Sequence, residues 1–198
     1  MTTIIHLVRH GAHADAGRVL TGRGGDDGLA SIGRAQAAWA AERLGSQKVV
    51  HVESSPQRRT RETAGVIAAV CGAEPEIVEA LDELDFGEWT GRVIADLDGD
   101  PDWTRWNSAR SQARVPGGER MTDAVSRAVA HLNALGRQSW SGSVVCVSHA
   151  DIIRGVVAHY LGLSLDRMLL FDVDPGSITS LVVGEWGGRL LSLNVQAA

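Results

Sequence analysis

Two histidines occupy equivalent places in this sequence, because each follows a short apolar run. His10 comes after residues 3–8 and Arg9, and His149 comes shortly after residues 143–147. Short runs rich in β-branched residues are typical of buried strands. Parallel strands of an α/β sheet end at one edge, where ligands bind, so we expect both imidazoles to face one pocket suited to a small anion. The alternative is two unrelated histidines, each bonded to a nearby carbonyl.

Further cationic groups are expected at the start of a helix. Pro56 suits the first turn of a helix over residues 56–70, and Ser54 or Ser55 can cap it. Three arginines then fall in the first two turns, where a helix N-terminus favours anions; they are Arg58, Arg59 and Arg61. The alternative is a solvated helix face, which we favour for Arg58 and Arg61.

Residues 81–91 form a loop rich in carboxylates and anchored by aromatic side chains. A carboxyl group in such a loop can act as a general acid toward a leaving group. The candidates are Asp82, Glu83, Asp85 and Glu88. The alternative is that all four only solvate the loop.

These four segments, in this order, resemble the histidine phosphatase superfamily, which has the phosphoglycerate mutase-like fold. The family patterns are Arg-His-Gly, Ser-Pro-x-x-Arg-Ala-x-x-Thr-Ala, Leu-x-Glu-x-Asp-Phe-Gly-x-Trp-Glu-Gly, and Val-Ser-His-Gly followed by Ile-Arg. The matching residues are Arg9-His10-Gly11, Ser55-Pro56, Arg59, Thr63-Ala64, Leu81, Glu83, Asp85-Phe86-Gly87, Trp89, Gly91, Val147-Ser148-His149 and Ile153-Arg154. Pro116-Gly117-Gly118-Glu119 matches a further segment, so the resemblance spans nearly the whole chain.

The resemblance implies a role for each matching residue. His10 is the nucleophile that forms phosphohistidine, and its other ring nitrogen should donate to a backbone carbonyl. Arg9 and Arg59 clamp the phosphoryl oxygens, and His149, cationic in the complex, stabilises charge on the transferring group. Glu83 protonates the leaving alcohol and then acts as a base toward water. No metal or other cofactor is required.

The resemblance also implies the fold, which is α/β with three layers. Helices cover both faces of a mostly parallel central sheet that carries one antiparallel edge strand, in a single domain over residues 1–198. Strands are predicted at residues 3–8, 48–53, 76–79, 143–147, 177–183 and 188–193. Helices are predicted at residues 31–44, 56–70, 119–136 and 150–161, with short helices within residues 92–112.

Two predicted helices show apolar residues at helical spacing, which predicts their buried faces. Helix 31–44 should bury Ile32, Ala35, Trp39 and Leu44. Helix 119–136 should bury Met121, Val125, Val129 and Leu132.

The sequence departs from the family patterns around the substrate. Ala12 and His13 follow Arg-His-Gly, where the family has Glu or Gln and then Thr or Ser. Residues 22–29 are one residue longer than the family stretch and lack its proline, and Ala150 follows His149 in place of glycine. By resemblance the rest of the ligand contacts Thr21, Gly22 and Arg23, so these departures leave the substrate open.

The leading hypothesis is a phosphomonoesterase that hydrolyses a small phosphorylated metabolite. A phosphoglycerate mutase is the alternative with the same chemistry. Residues 14–18 lack the Trp-Asn stretch of the family's mutases, and the segment from Gly91 to Pro116 is short, which favours hydrolysis. A binding or regulatory domain without turnover is the alternative of another class, but binding alone would not need an acid such as Glu83.

Composition limits the other classes of function. A net charge of −5 argues against a nucleic-acid partner, and the absence of an apolar stretch of about 20 residues argues against a membrane protein. Two cysteines and no signal-peptide pattern lead us to expect a cytoplasmic protein. We expect it to be a monomer or a homodimer. His6, His10 and His13 are close in sequence, but strand alternation separates their directions, so no metal site is expected.

Overall fold

The computed structural model of the chain describes residues 1–25 and 28–197. Asp26 and Asp27, which belong to the stretch 22–29 that departs from the family pattern, lie outside the described residues. The strands are β1 (Thr2–Arg9), β2 (Val49–Ser54), β3 (Pro75–Ile77), β4 (Ser143–Ser148), β5 (Ile178–Gly184) and β6 (Gly187–Val195). The α-helices are α1 (Ser31–Gly45), α2 (Arg58–Cys71), α3 (Pro101–Ser108), α4 (Met121–Gly136) and α5 (Ala150–Leu161).

Short 3₁₀ helices complete the secondary structure of the described residues. Two of them, Glu79–Leu81 and Gly87–Trp89, lie in or beside the predicted catalytic loop. A third, Ile94–Leu97, falls in the region where short helices are predicted. The fourth, Leu165–Leu170, follows α5 and has no counterpart in the sequence prediction.

The strands form one sheet in the order β3-β2-β4-β1-β5-β6. The first four are parallel, β5 is antiparallel to β1, and β6 is antiparallel to β5. Neighbouring residues of a strand face opposite sides, so Val8 packs in the cluster with α1 and α2 while Leu7 packs in the cluster with α4 and α5. The predicted three-layer α/β/α class is therefore confirmed, and the strand of reversed direction lies just inside the edge strand β6.

The prediction for the buried face of α1 is confirmed for Leu44 and wrong for Ile32 and Ala35, which are exposed. Ile32 is 62% exposed, and the buried residues are Gly33, Ala37, Ala40, Ala41 and Leu44. Gly33 has no side chain because the first turn of the helix lies very close to the loop that follows β1. A Cβ atom on Gly11 would stand 2.3 Å from the carbonyl oxygen of Gly33, so neither position has room for a side chain.

The predicted face of α4 is confirmed, since all four of its residues are buried; they are Met121, Val125, Val129 and Leu132. These larger side chains fill the space between α4, α5 and the sheet. No helix in the described part of the chain is long and apolar enough to cross a membrane.

Candidate active site

The carboxyl ends of β1 and β4 bring the two histidines together. Arg9 pairs with Ser148 in the parallel ladder, and the backbone N–H of His10 donates to the Ser148 carbonyl at 3.0 Å. The rings of His10 and His149 are both buried, and their centroids are 5.2 Å apart. The two histidines therefore lie side by side where these strands end, as expected.

The imidazole of His10 is held as a neutral base. Its Nδ1 lies 2.8 Å from the carbonyl oxygen of Gly11, and because a carbonyl only accepts, Nδ1 carries the proton. The expected contact with a backbone carbonyl is therefore present, and Nε2 keeps its lone pair. Burial, followed by the charges of Arg59 and Arg9, holds the pKa of His10 well below its usual value.

Two arginines border the same pocket. Arg59 is 2% exposed, and its Nη2 donates to the Gly22 carbonyl at 2.7 Å and lies 3.2 Å from Nδ1 of His149. Nη1 of Arg9 donates to the carbonyl of Val173 at 2.7 Å. Arg58, by contrast, is exposed, as expected for a solvated helix face, and it forms an ion pair with Glu62 at 2.7 Å.

The predicted start of the second helix is wrong. The helix α2 begins at Arg58, after Gln57, and no side chain caps it, so Pro56 precedes the helix and Ser54 and Ser55 are not its caps. The hydroxyl of Ser55 has a different partner, because it lies 2.8 Å from Nε2 of His149.

A chain of hydrogen bonds fixes the tautomer of His149. An N–H of Arg59 can only donate, so Nδ1 of His149 accepts it and Nε2 carries the proton. Nε2 then donates to the hydroxyl of Ser55, which donates to Oδ1 of Asp82 at 3.0 Å. Asp82 is 5% exposed, so His149 is connected through one hydroxyl to a buried carboxylate.

The charge of His149 depends on what occupies the pocket. Burial, followed by the charge of Arg59, keeps its pKa well below the usual value, so the ring is neutral when the pocket is empty. A bound anion would offset the charge of Arg59 and raise that pKa. Asp82, 3.8 Å from Nε2, is placed to stabilise the imidazolium once it forms.

Glu83 shows the opposite response to burial. Desolvation first, and the charge of Asp151 second, raise the pKa of its carboxyl to about 7. Its Oε1 accepts from the backbone N–H of Leu84 at 2.9 Å, and its Oε2 lies 3.7 Å from Nδ1 of His149. A carboxyl group that keeps its proton near neutrality can deliver it to a leaving group.

Arg127 holds the loop that carries Glu83. From helix α4 it donates to the carbonyl oxygens of Ala80 at 2.8 Å, Asp82 at 2.6 Å and Glu83 at 3.0 Å. Sequence reasoning missed this residue, because nothing in its neighbourhood along the chain points to a loop more than 40 positions away.

A cavity of about 210 Å³ opens above these groups. Its walls are Arg9, His10, His13, Ala16, Gly17, Val19, Leu20, Thr21, Gly22, Arg59, Glu83, Phe86, Ile94, Ala150 and Asp151. Four of the five predicted catalytic residues thus line it, and His149 is the buried residue behind it. Of the predicted substrate residues, Thr21 and Gly22 belong to the wall.

The structure places Arg23 elsewhere than expected, since its side chain is not among the cavity walls. Its guanidinium donates to the Glu83 carbonyl at 2.7 Å and to a carboxylate oxygen of Glu119 at 2.9 Å, and it lies 3.3 Å from Asp82. Glu119 and Asp82 therefore hold the Arg23 guanidinium outside the cavity walls.

His13 and Asp151 are polar wall residues that the sequence analysis did not select for the site. The ring centroid of His13 is 5.5 Å from that of His10. Asp151 follows His149 by two positions on α5, and that spacing is the signal that could have indicated it. Among residues 1–25 and 28–197, no group of three or more His, Cys, Asp or Glu side chains is arranged to hold a metal ion.

The fold and this site define a class of α/β protein that binds an anionic group where parallel strands end. Comparison with known proteins makes the class specific. Residues 5–196 match the histidine phosphatase superfamily (branch 1), and the chain belongs to that family.

The proteins similar to this chain include phosphatases and a probable phosphoglycerate mutase. The chain is 28% identical to phosphoserine phosphatase 1 of Hydrogenobacter thermophilus over 86% of its own length and 82% of that protein. It is 32% identical to a probable phosphoglycerate mutase, GpmB, of Yersinia pestis, over 80% and 75% of the two chains. A solved mycobacterial glucosyl-3-phosphoglycerate phosphatase superposes with a TM-score of 0.84 at 28% identity, covering 99% and 100%.

Proposed function

We propose that this protein is a phosphomonoesterase that hydrolyses a small phosphorylated metabolite through a phosphohistidine at His10. The observation that carries the proposal is the state of His10 and Glu83 in one cavity. The first is a neutral base with a lone pair on Nε2, and the second is a carboxyl group with a pKa of about 7. Nucleophile and acid are therefore both in the protonation state that the reaction needs near neutral pH.

In the first step, Nε2 of His10 attacks phosphorus and the bond from phosphorus to the alcohol oxygen breaks. Arg9 and Arg59 bind the phosphoryl oxygens, because planar guanidinium groups suit that geometry. The charge of the bound phosphoryl group favours uptake of a proton at Nδ1 of His149 together with the substrate; Nδ1 then donates to a phosphoryl oxygen in place of accepting from Arg59, and Asp82 stabilises the imidazolium through Ser55. Glu83 gives its proton to the departing alcohol.

In the second step, water attacks the phosphohistidine and the bond from phosphorus to Nε2 breaks. Glu83, now a carboxylate, takes a proton from that water and returns to its starting state. Inorganic phosphate leaves, and His10 is again a neutral base.

We also propose that the enzyme is a histidine phosphatase of the acid type, that it is cytoplasmic and that it acts without a metal. Glu83 supports the first of these, since it must be protonated and its pKa is about 7. The two cysteines, Cys71 and Cys146, are free thiols, which suits a reducing compartment. For the metal, we expect a chelator to leave turnover unchanged.

A labelling experiment tests the proposal. Wild-type protein is mixed with a ³²P-labelled phosphomonoester, quenched in mid-reaction and analysed for bound label. We expect acid-labile, base-stable label, and we expect neither label nor turnover in His10→Ala. His13→Ala is the matched control, because this ring also lines the cavity and its centroid is only 5.5 Å from that of His10.

If His10→Ala still carries the label, or if only His13→Ala loses it, His10 is not the nucleophile. Label on a serine or an aspartate would overturn the mechanism altogether. To separate hydrolysis from mutase activity, 3-phosphoglycerate is supplied with catalytic 2,3-bisphosphoglycerate. Isomerisation faster than phosphate release would identify a mutase instead.

A further inference from the structure

The cavity has several apolar side chains in its walls besides the phosphoryl-binding groups. Its apolar walls are Ala16, Val19, Leu20, Phe86 and Ile94. Among the described wall residues, the only arginines or lysines are Arg9 and Arg59, and both border His10 and His149. A second anionic group on the substrate would therefore meet no additional guanidinium or ammonium group on these walls.

The cationic residues that could have served a second anion are bound to carboxylates. Arg23 pairs with Glu119 at 2.9 Å and approaches Asp82 at 3.3 Å. Arg110 is 6% exposed, and its Nη1 donates to Asp151 at 3.3 Å. These ion pairs cancel the positive charge at the sides of the cavity.

Asp151 adds a carboxylate to the wall itself. It lies 3.3 Å from Arg110 and 3.7 Å from Arg154, and its charge is the second cause of the raised pKa of Glu83. Arg110 and Arg154 are therefore both bound by Asp151, and Arg154 also lies 3.6 Å from Asp172, so their guanidinium charges on this side of the cavity are already compensated and are not available to a substrate carboxylate.

We propose that the alcohol part of the substrate carries no carboxylate or second phosphate and that it has an apolar portion. This inference rests on the proposed phosphatase function and narrows it to one substrate class. Phosphorylated sugar acids and phosphorylated acidic amino acids are then poor substrates. Good substrates are compact phosphomonoesters whose alcohol part is neutral or cationic.

Two matched pairs of substrates test the proposal on the wild-type protein. Glycerol 3-phosphate and 3-phosphoglycerate differ mainly by a hydroxymethyl group in place of a carboxylate. We expect kcat/KM for the carboxylate to be lower by about tenfold or more. Butyl phosphate and ethyl phosphate have similar leaving groups, and the two added methylenes should raise kcat/KM by up to about tenfold if they are buried.

A variant of the apolar wall makes the test sharper. Ala16→Lys adds an ammonium group at a half-buried wall position, and Ala16→Met adds a chain of similar length without charge. In the lysine variant, the ratio of kcat/KM for glycerol 3-phosphate to kcat/KM for 3-phosphoglycerate should be smaller by at least about threefold, because the ammonium group supplies the missing cation. The methionine variant should leave that ratio within about twofold of the wild type, since it adds no charge.

The outcomes separate this inference from the function on which it rests. If 4-nitrophenyl phosphate and all four metabolite analogues release no phosphate, the proposed phosphatase function fails. If they are hydrolysed, with 3-phosphoglycerate as good as glycerol 3-phosphate or better, the phosphatase stands and the substrate class is wrong. An equal effect of both Ala16 variants on the ratio would also contradict the role of charge.

Discussion

At the scale of single residues, one environment acts on two groups in opposite directions. Burial disfavours a charge of either sign, so it lowers the pKa of the His10 imidazolium and raises the pKa of the Glu83 carboxyl. His10 is consequently neutral near pH 7, and Glu83 keeps its proton up to about that pH. A nucleophile and a proton donor need these states, so one poorly solvated pocket can prepare both.

Glu83→Gln is expected to slow the release of an alkyl alcohol much more than that of an aryl alcohol. The amide has no proton to give, and an alkoxide leaving group needs one, so the loss for alkyl phosphates should be about 10²–10⁴-fold. In the wild type, kcat/KM should also fall as the pH rises through about 7, where Glu83 loses its proton. That decline should be missing in the variant, as measured by pH profiles with butyl phosphate.

Asp85→Asn is the matched control in the same loop. Asp85 accepts from the backbone N–H of Gly87 at 2.9 Å and does not line the cavity, so its loss should not distinguish the two kinds of leaving group. Equal losses for alkyl and aryl substrates in Glu83→Gln would show that another carboxyl group is the acid.

At the scale of elements, the sequence predicted what local patterns determine. Apolar runs located β1 and β4, and the motif spacing selected Arg59 over Arg58. Two predictions that depended on distant partners did not hold. Ser55 was expected to cap a helix, but His149 from another strand end binds it. Arg23 was expected in the cavity, but Glu119, remote in sequence, holds it.

The buried face of α1 could not be predicted for a different reason. The search for apolar residues at helical spacing selects large side chains, whereas α1 contacts the loop after β1 through its backbone. A Cβ atom on Gly33 would lie 2.0 Å from the carbonyl oxygen of Ala12, which makes absence of a side chain the requirement. This contact fixes the loop that carries His10.

Gly33→Ala is therefore expected to destabilise the protein by about 1–3 kcal/mol, as overpacking in a rigid contact does. Because the clash is with the catalytic loop, kcat should fall as well. Gly65→Ala is the matched control on α2, where an added Cβ atom would meet nothing within 4 Å. In that open helical position alanine should stabilise by roughly 0.4–1 kcal/mol.

Urea unfolding and turnover measured on both variants check this expectation. A Gly33→Ala protein as stable and as active as the wild type would show that the loop can move away from α1 without consequence. In that case the close contact would not be what positions His10.

At the scale of the whole molecule, the fold keeps three buried histidines neutral. Burial, followed by the charge of Arg43, lowers the pKa of His6 to about 4, and burial also holds the pKa values of His10 and His149 well below 6.5. In the unfolded chain a histidine titrates near 6.5. As the pH falls below that value, the unfolded state binds protons that the folded state does not, so the free energy of unfolding decreases.

His6 allows this effect to be isolated, because it lies on β1 away from the cavity and its Nδ1 contacts the hydroxyl of Ser180 at 2.9 Å. Between pH 6.5 and about 4, it should contribute up to about 1.4 kcal/mol per pH unit to the slope of stability against pH. His6→Leu removes that proton and should reduce the slope by this amount. Urea unfolding of the substrate-free protein across this pH range measures it.

Ser180→Ala separates titration from packing in the same place. It removes the hydrogen-bond partner and keeps the imidazole, so stability should decrease at every pH while the slope stays close to that of the wild type. His6→Leu should instead change the slope of stability against pH, whether or not it changes the free energy of unfolding at pH 7.5. A wild-type slope in His6→Leu would mean that His6 is already protonated in the folded protein, or that the fold opens around it before it titrates.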